Sequence, residues 1–230
     1  MPALNEGSFL LMPTSMPHSG VEANMQIVKQ LDMLVQAIPE VEMVVGKAGR
    51  AESPLDPAPM SMYENIINYK TEYLQDQDAQ KLRFKTDKDG FFQINIDGKD
   101  HWFDRVSGSI WDKDFNYLEE NKTKSIVKEI QKHLILDEKS GQYFRQWRDQ
   151  IQSPDDIWDE IQLRTSGIPG VTSAPKLQPI ETRLVMLQTG MRAPMGMKVY
   201  GPDLETIENF SLQLEDLLQE VPSIKAEAVF

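Results

Sequence analysis

The sequence predicts an α+β protein built from split βαβ units of the ferredoxin-like type. The first observation is a strand–helix–strand pattern over residues 1–50, and the second is the same pattern over residues 195–230. The third is that the two units share a junction, because "AIPEVEMVV" and "EVPSIKAEAV" both place a proline between an amphipathic helix and a strand. Two matching units of this kind favour split βαβ subdomains over a doubly wound sheet.

The first unit begins with the short apolar run "SFLLM", which predicts a strand over residues 8–12. Ser19 and Glu22 form the pattern of a capping box, which predicts a helix over residues 20–37. The apolar face of this helix repeats every three or four positions, at Ile27, Leu31, Leu34 and Ile38. Pro39 ends the helix, and "VEMVVG" predicts a strand over residues 41–46.

A second βαβ unit follows and is interrupted. The run "MSMYENIINYK" predicts a strand over residues 60–70. Ser153 and Pro154 are a strong helix start, which predicts a helix over residues 154–164. "ETRLVML" predicts a strand over residues 181–187. We expect the four strands in one sheet, with both helices on a single face.

The end of the chain opens a second subdomain. A strand is predicted over residues 195–201, Pro202-Asp203 starts a helix, and "IKAEAVF" predicts a strand over residues 224–230. The apolar face of the helix comprises Ile207, Phe210, Leu214, Leu217 and Val221. We therefore expect a complete subdomain over residues 1–187 and the first half of another over residues 188–230, as in a piece cut from a longer protein.

The interruption covers residues 71–142 and is rich in lysine and aspartate. Asp97-Gly98 predicts a hairpin over residues 91–103, and a helix is expected over residues 121–134. "DKDG" suggests a calcium loop, but that motif needs acids where Lys85 and Ile96 stand. We expect this insertion to be a solvated surface elaboration that builds no part of a ligand cleft.

Composition narrows the functional classes. The net charge of −12 argues against a nucleic-acid partner or an anionic membrane surface. No apolar run approaches the roughly 20 residues of a membrane span. The chain contains no cysteine, and its three histidines lie far apart, so the soft ligands left are the 12 methionines. No nucleophile elbow or glycine-rich phosphate loop is present, which argues against an enzyme.

Three segments carry a resemblance to a known family. "NEGSFLLMPTSMP" (5–17), "IPEVEMVVGKAGRAESPLDPAPMSM" (38–62) and "ETRLVMLQTGMRAPMGMKVYG" (181–201) are similar to the heavy-metal branch of the resistance–nodulation–division efflux pumps, with the CusA-type copper/silver exporters most similar. The resemblance implies a porter-domain fragment from the periplasmic portion of an inner-membrane transporter. It also implies the rest of a trimeric pump and a periplasmic adaptor protein as partners.

The resemblance further implies a metal site made by Met12, Met62 and Met186 in a cleft between two subdomains. The ion would be Cu(I) or Ag(I), carried as transported substrate and not as a cofactor. Thioether sulfur is soft and uncharged, so it suits these ions and competes poorly for Zn(II) or hard cations. In the predicted fold these three residues lie on three different strands, so a site assembled from them would respond to opening of the cleft.

The remaining methionines divide into two groups. Met25, Met33 and Met43 are expected in the core, because methionine fills irregular gaps between packed elements. For Met16, Met191, Met195 and Met197, both metal transfer and lining of the cleft stay open. A competing hypothesis is that the chain is an interaction module that docks the adaptor protein, with all its methionines structural.

Overall fold

The computed structural model describes residues 5–49, 59–112, 114, 116–172, 174–189 and 197–221. For residue 121 and residues 186–189, which lie in helices, it describes the backbone alone. The chain divides into two compact units. The split unit comprises Met1–Tyr69 and Asp155–Phe230, and the inserted unit comprises Lys70–Pro154.

Strands dominate the first half of the described chain, and helices dominate the second half. The first half forms β1 (Ser8–Leu11), α1 (Val21–Gln36), β2 (Val41–Ala48), β3 (Tyr63–Tyr69), β4 (Arg83–Phe84), β5 (Phe92–Ile96), β6 (Lys99–Phe103) and β7 (Ile110–Trp111). The second half forms α2 (Glu120–Lys128), a 3-10 turn (Ile130–Lys132), β8 (Gln142–Tyr143), α3 (Pro154–Thr165), α4 (Pro179–Thr189) and α5 (Leu204–Gln219). The α+β class predicted from the sequence is confirmed.

The split unit is organised around a three-stranded antiparallel sheet in the order β1-β3-β2. Both of its flanking helices lie on one face, as predicted. Trp158 of α3 packs edge-on against Phe9 of β1, with ring centroids 5.4 Å apart. Tyr63 of β3 donates a hydrogen bond to Asn24 of α1 on the same side. The main core of the unit therefore fills the space between this face and the two helices.

Helix α1 differs from its prediction in two respects. Its N-cap is Gly20, and no side chain caps the helix, so the capping box of Ser19 and Glu22 is wrong. The buried residues of the helix are Asn24, Val28, Leu31 and Val35. Within the helix, only Leu31 belongs to both this buried face and the predicted one, so the buried face is rotated from the prediction. The difference arises because a buried asparagine takes a place that a purely apolar pattern assigns to Ile27.

The predicted fourth strand is wrong. Residues 181–187 are helical and belong to α4. An earlier segment lies beside β1 instead, where Leu10 donates its backbone N–H to the carbonyl of Leu177 at 2.9 Å. Val171 forms an isolated antiparallel bridge with Ser15 further along the same edge. Val171 and Leu177 thus lie along the edge of the sheet, and the chain turns into a helix at Pro179, which suits the first position of a helix.

The end of the described chain is a long amphipathic helix. Asp203 caps α5 by accepting a hydrogen bond from the backbone N–H of Thr206 at 2.8 Å, which confirms the predicted start. No described residue of α5 is buried. Residues 197–201 form no strand, and the predicted strand over 224–230 lies outside the described residues.

The inserted unit contains a core of its own. It pairs β5-β6-β7 in one antiparallel sheet and β4-β8 in another. The ring of Phe144 lies at the centre of this core, with centroids 4.9 Å from Phe92 and 6.3 Å from both Phe84 and Phe103. The first and last segments of the unit are joined, because the Trp147 indole donates to the carbonyl of Lys70 at 2.7 Å.

Turns in the inserted unit are closed by aspartate. The predicted hairpin is confirmed, with positive φ at both Asp97 and Gly98 as its tight turn requires. In the "DKDG" loop, Asp87 accepts backbone hydrogen bonds from Asp89 at 3.0 Å and from Phe91 at 2.9 Å. This carboxylate is occupied by the backbone of its own loop, which agrees with the rejection of a calcium loop.

Candidate methionine site

Two of the three predicted ligands lie on neighbouring strand ends in the split unit. Met12 follows β1 directly, and Met62 precedes β3 directly. The pairing of β1 with β3 continues past both strands, because Thr14 and Met62 form an antiparallel bridge. The backbone N–H of Tyr63 donates to Pro13 at 3.1 Å, and that of Ser15 donates to Ser61 at 2.8 Å.

Both methionines belong to the sheet face that lies opposite α1 and α3. Side chains alternate between the faces of a strand, so Leu10 and Met12 lie opposite Phe9, whose ring meets α3. Met62 pairs with Thr14, which lies two residues beyond Met12 and therefore shares its face. Leu10, Met12 and Met62 form one buried cluster, separate from the core of the inserted unit, with Leu177 packed against it.

The two thioethers are shielded from water. Met12 is 1% exposed and Met62 is 9% exposed. Leu177 belongs to the segment that pairs with β1 at the sheet edge. Both side chains are therefore largely covered by neighbouring residues.

A buried polar network holds the methionine-bearing segments against α1. The side-chain oxygen of Asn24, which is fully buried, accepts from the Ser15 hydroxyl at 2.7 Å and from the Tyr63 hydroxyl at 2.6 Å. Its amide group donates to the Ser19 carbonyl at 3.1 Å. Sequence analysis missed this residue. Asn24 lies one helical turn before Val28, and an asparagine at that spacing from an apolar residue is a signal for a buried polar contact.

The charged groups on the methionine face are paired. Glu64 lies two residues beyond Met62 on β3, and its carboxylate forms an ion pair with Lys47 at 3.1 Å. Among the residues that the structure describes, no three histidine, aspartate or glutamate side chains are grouped so that they could hold a metal ion. Thioether sulfur is therefore the soft donor that this face offers.

Met186 lies in a helix and not in a strand as predicted. Its backbone belongs to α4, which packs against β1, and its side chain lies outside the described part of the structure. The structure thus brings Met12 and Met62 together and leaves the relation of Met186 to them as a prediction.

The other methionines are placed differently from expectation. Met25, Met33 and Met43 are exposed, so their predicted core positions are wrong. The reason for Met25 and Met33 is the rotated buried stripe of α1. Met16 and Met197 are also exposed. Met191 and Met195 lie outside the described residues.

No protein-family model matches the chain. Its sequence is 24% identical over 224 residues to the cation efflux system protein CusA of Escherichia coli, covering 97% of this chain and 14% of that protein. It is 25% identical over 224 residues to the putative cation efflux system protein SilA of Salmonella typhimurium, with the same coverage. The chain therefore spans about 14% of the length of these relatives.

Solved structures give the same result for the fold. A crystal structure of a heavy metal efflux pump matches 96% of this chain and 15% of its own, with a TM-score of 0.58 and 18% identity. A second crystal form matches with a TM-score of 0.57. The predicted resemblance to heavy-metal efflux pumps is confirmed, and these relatives are named for transport and not for catalysis. None of the described helices combines the length and the apolar character needed to cross a bilayer.

Proposed function

We propose that this chain, which is similar to a segment of the CusA and SilA cation efflux proteins, is the periplasmic substrate-binding part of a proton-driven heavy-metal efflux pump. It binds Cu(I) or Ag(I), as transported substrate, through Met12, Met62 and Met186 in a cleft between two subdomains. The observation that carries this proposal is the convergence of Met12 and Met62, distant in sequence, in one cluster on the side of the sheet opposite α1 and α3.

The architecture supports porter subdomains of the ferredoxin-like type. The order β1-β3-β2, with α1 and α3 on one face, is the order of a split βαβ unit. Val171 and Leu177 lie along the edge of β1 and the residues that follow it, where the fourth strand of such a unit belongs. In this proposal residues 1–187 form one subdomain around the insertion, and residues 188–230 open a second one that also contributes to the cleft.

The chemistry of the site suits a soft monovalent ion. Thioethers bind Cu(I) and Ag(I) well, and near neutral pH protons do not compete with the metal ion for the sulfur lone pairs. The adjacent carboxylate of Glu64 already forms an ion pair with Lys47 at 3.1 Å. A site of neutral ligands leaves the positive charge of the ion uncompensated, which favours release in a transport cycle.

The burial of the two sulfurs supports a gated site. Leu177 packs against Met12 and Met62, and it lies two residues before α4 begins at Pro179. Movement of this segment would expose the thioethers and displace the helix that carries Met186. The remainder of a trimeric pump and a periplasmic adaptor protein are the proposed partners.

Titration calorimetry with Ag(I) in chloride-free buffer tests the proposal. The native chain should bind one ion, and the combined replacement of Met12, Met62 and Met186 by leucine should abolish that binding. Leucine keeps the apolar character and nearly the volume of methionine, so the fold should survive. Binding that persists in the folded triple variant would place the metal elsewhere.

The exposed methionines provide a matched control. Replacement of Met25, Met33 and Met43 by leucine removes the same number of sulfurs and should leave Ag(I) binding unchanged. The native affinity should also stay nearly constant between about pH 7 and pH 5, whereas a histidine site would weaken about tenfold over that span. If the native chain binds no Ag(I), the docking-module hypothesis with structural methionines takes precedence.

A further inference from the structure

Strand β2 lies at an edge of the sheet in the split unit. It is last in the order β1-β3-β2, so β3 pairs with one side of it, and no described strand pairs with the other. In an edge strand, every second residue directs its backbone N–H and C=O away from the sheet. Such an edge is where a strand from another chain can add to the sheet.

The sequence of β2 favours such an addition. Its eight residues make it the longest of the described strands, and three of them are valines, which have a high β propensity. The charges of Glu42 and Lys47 cancel, and the strand contains no proline. Met43 and Val45 are 46% and 56% exposed. Low net charge and high β propensity are the features of segments that pair with identical segments.

The end of helix α1 occupies part of this edge. The side-chain oxygen of Gln36 accepts a hydrogen bond from the backbone N–H of Val44 at 3.3 Å. The amide nitrogen of the same side chain donates to the carbonyl of Glu42 at 3.4 Å. Because backbone groups alternate between the two sides of a strand, these groups are the ones directed away from β3. Gln36 thus bonds to them as the backbone of a neighbouring strand would.

Asp32, one helical turn earlier, occupies the next position along the edge. Its carboxylate accepts from the backbone N–H of Gly46 at 3.1 Å and from the side chain of Asn65 on β3 at 2.7 Å. Asn65 is fully buried, so this second bond anchors the carboxylate to the sheet. A Cβ at position 46 would lie 2.7 Å from an Asp32 oxygen and 2.4 Å from the Asn65 amide nitrogen. Glycine in a strand often marks a close approach of this kind.

We infer that Asp32 and Gln36, here called the edge cover, prevent β2 from pairing with β2 of a second copy of this chain. The edge cover bonds to three outward backbone groups, the carbonyl of Glu42 and the N–H groups of Val44 and Gly46. A second strand has to break these bonds before it can form its own. The inference concerns association of the chain and is independent of metal binding.

Sedimentation velocity of the full chain over a wide concentration range tests this inference. The variant that combines Asp32→Ala with Gln36→Ala should associate at a concentration about tenfold lower than the native chain does, because its edge groups are free to pair. Each single replacement should lie between the two.

Hydrogen exchange locates the surface through which the variant associates. In the dilute double variant, the amides of Val44 and Gly46 should exchange faster than in the native chain, because they have lost their acceptors. As the concentration rises, the same amides should become protected. Protection that rises with concentration in the native chain would show that the edge is already open there, which would overturn the inference.

Matched controls replace exposed residues of the same types. Gln30 lies on α1 and Asp159 on α3, and both side chains are exposed. The variant that combines Gln30→Ala with Asp159→Ala loses the same charge and the same amide as the double variant. It should associate as the native chain does. Association equal to that of the double variant would mean that charge or composition is the cause, and the inference fails.

A rescue variant provides the final comparison. Val45→Lys, added to the double variant, should restore the native behaviour, because lysine on an edge strand opposes pairing. The inference is overturned if the double variant associates no more readily than the native chain, or if Val45→Lys leaves its association unchanged. Should the double variant not fold, Gln36→Ala alone, at an exposed position, carries the same comparison, and native behaviour in that variant overturns the inference.

Discussion

Several aspartates of the inserted unit close turns within a few residues of themselves, whereas Asp32 of the split unit joins elements that lie far apart in the sequence. Asp137 accepts from Lys139 and Ser140 in its own loop. Asp32 of α1 instead accepts from Gly46 of β2 at 3.1 Å and from Asn65 of β3 at 2.7 Å. Aspartate side chains therefore stabilise the fold of both units, through short-range hydrogen bonds in one case and long-range hydrogen bonds in the other.

The sequence separation of these contacts determines how the loss of a hydrogen bond affects the surrounding structure. A turn closed by its own aspartate forms locally and tolerates the loss of one bond. A contact between distant segments is made only in the folded state, so its loss is felt by every element that it joins. The methionine cluster lies in the split unit, beside the long-range contacts that Asp32 and Asn24 make.

The largest expected effect is at the buried network of the split unit. Asn24→Ala should destabilise this unit by about 3 kcal/mol, because it removes the partner of the Tyr63 hydroxyl and of the Ser19 carbonyl and leaves the Ser15 hydroxyl only its longer contact with Ser61. Hydrogen exchange of the β3 amides measures the change.

The control for that prediction is Asn68→Ala, at a half-buried position on the other face of β3. It should change the free energy of unfolding by less than about 0.5 kcal/mol. Equal effects of the two variants would contradict the importance assigned to the long-range network.

A smaller effect is expected on acidification of the inserted unit. Hydrogen bonds from the backbone and side chain of Asn116 lower the pKa of Asp112 below its ordinary 3.8. Hydrogen bonds from the side chain and backbone of Ser140 lower the pKa of Asp137 likewise. A carboxylate with a lowered folded pKa adds stability above its unfolded value and loses it as the pH falls through the folded pKa. The inserted unit should therefore weaken below about pH 4.

The measurement is hydrogen exchange of the β5 and β6 amides between about pH 5 and pH 2.5, corrected for intrinsic rates. Asp112→Asn should reduce the pH dependence, since the amide oxygen still accepts and does not titrate in this range. Asp114→Asn, in the same loop, is the control, because Asp114 contributes its backbone N–H to Asp112. An unchanged pH dependence in Asp112→Asn would contradict this explanation.

Removal of the inserted unit is expected to have no effect on Ag(I) affinity. Replacing residues 71–153 by a short Gly-Ser linker should leave Ag(I) affinity unchanged, because the methionine cluster lies wholly in the split unit. The cut ends lie near each other, because the ring of Phe9 stacks on Tyr69 at 4.7 Å and also meets Trp158 of α3 at 5.4 Å. Lost Ag(I) binding in a variant that remains folded would show that the insertion contributes to the site.

Local patterns in the sequence predicted what local physics controls. The hairpin turn at Asp97-Gly98, the start of α3 at Pro154 and the cap of α5 at Asp203 were confirmed. In each case the required backbone conformation or hydrogen bond depends on residues within a few positions. Strands β1, β2 and β3 were also predicted, because each is an apolar run bounded by clear breaks.

The predictions were wrong where the local structure depends on a residue that is distant in the sequence. "ETRLVML" is compatible with a strand or a helix, and α4 forms there because Glu6 supplies the cap and β1 supplies the packing surface. The buried stripe of α1 is set by Asn24, whose partners Ser15 and Tyr63 lie on other elements. Apolar periodicity alone does not contain either contact.

The sequence by itself determined the α+β class, the first strand–helix–strand unit, the presence of an insertion and the soft, cysteine-free set of possible ligands. Tertiary structure alone decided that Met12 and Met62 share one cluster, that Met25, Met33 and Met43 are exposed, and that Met186 stands on a helix. The physical reason is that composition and periodicity act along the chain. The burial of a given methionine depends instead on which distant segment packs against it.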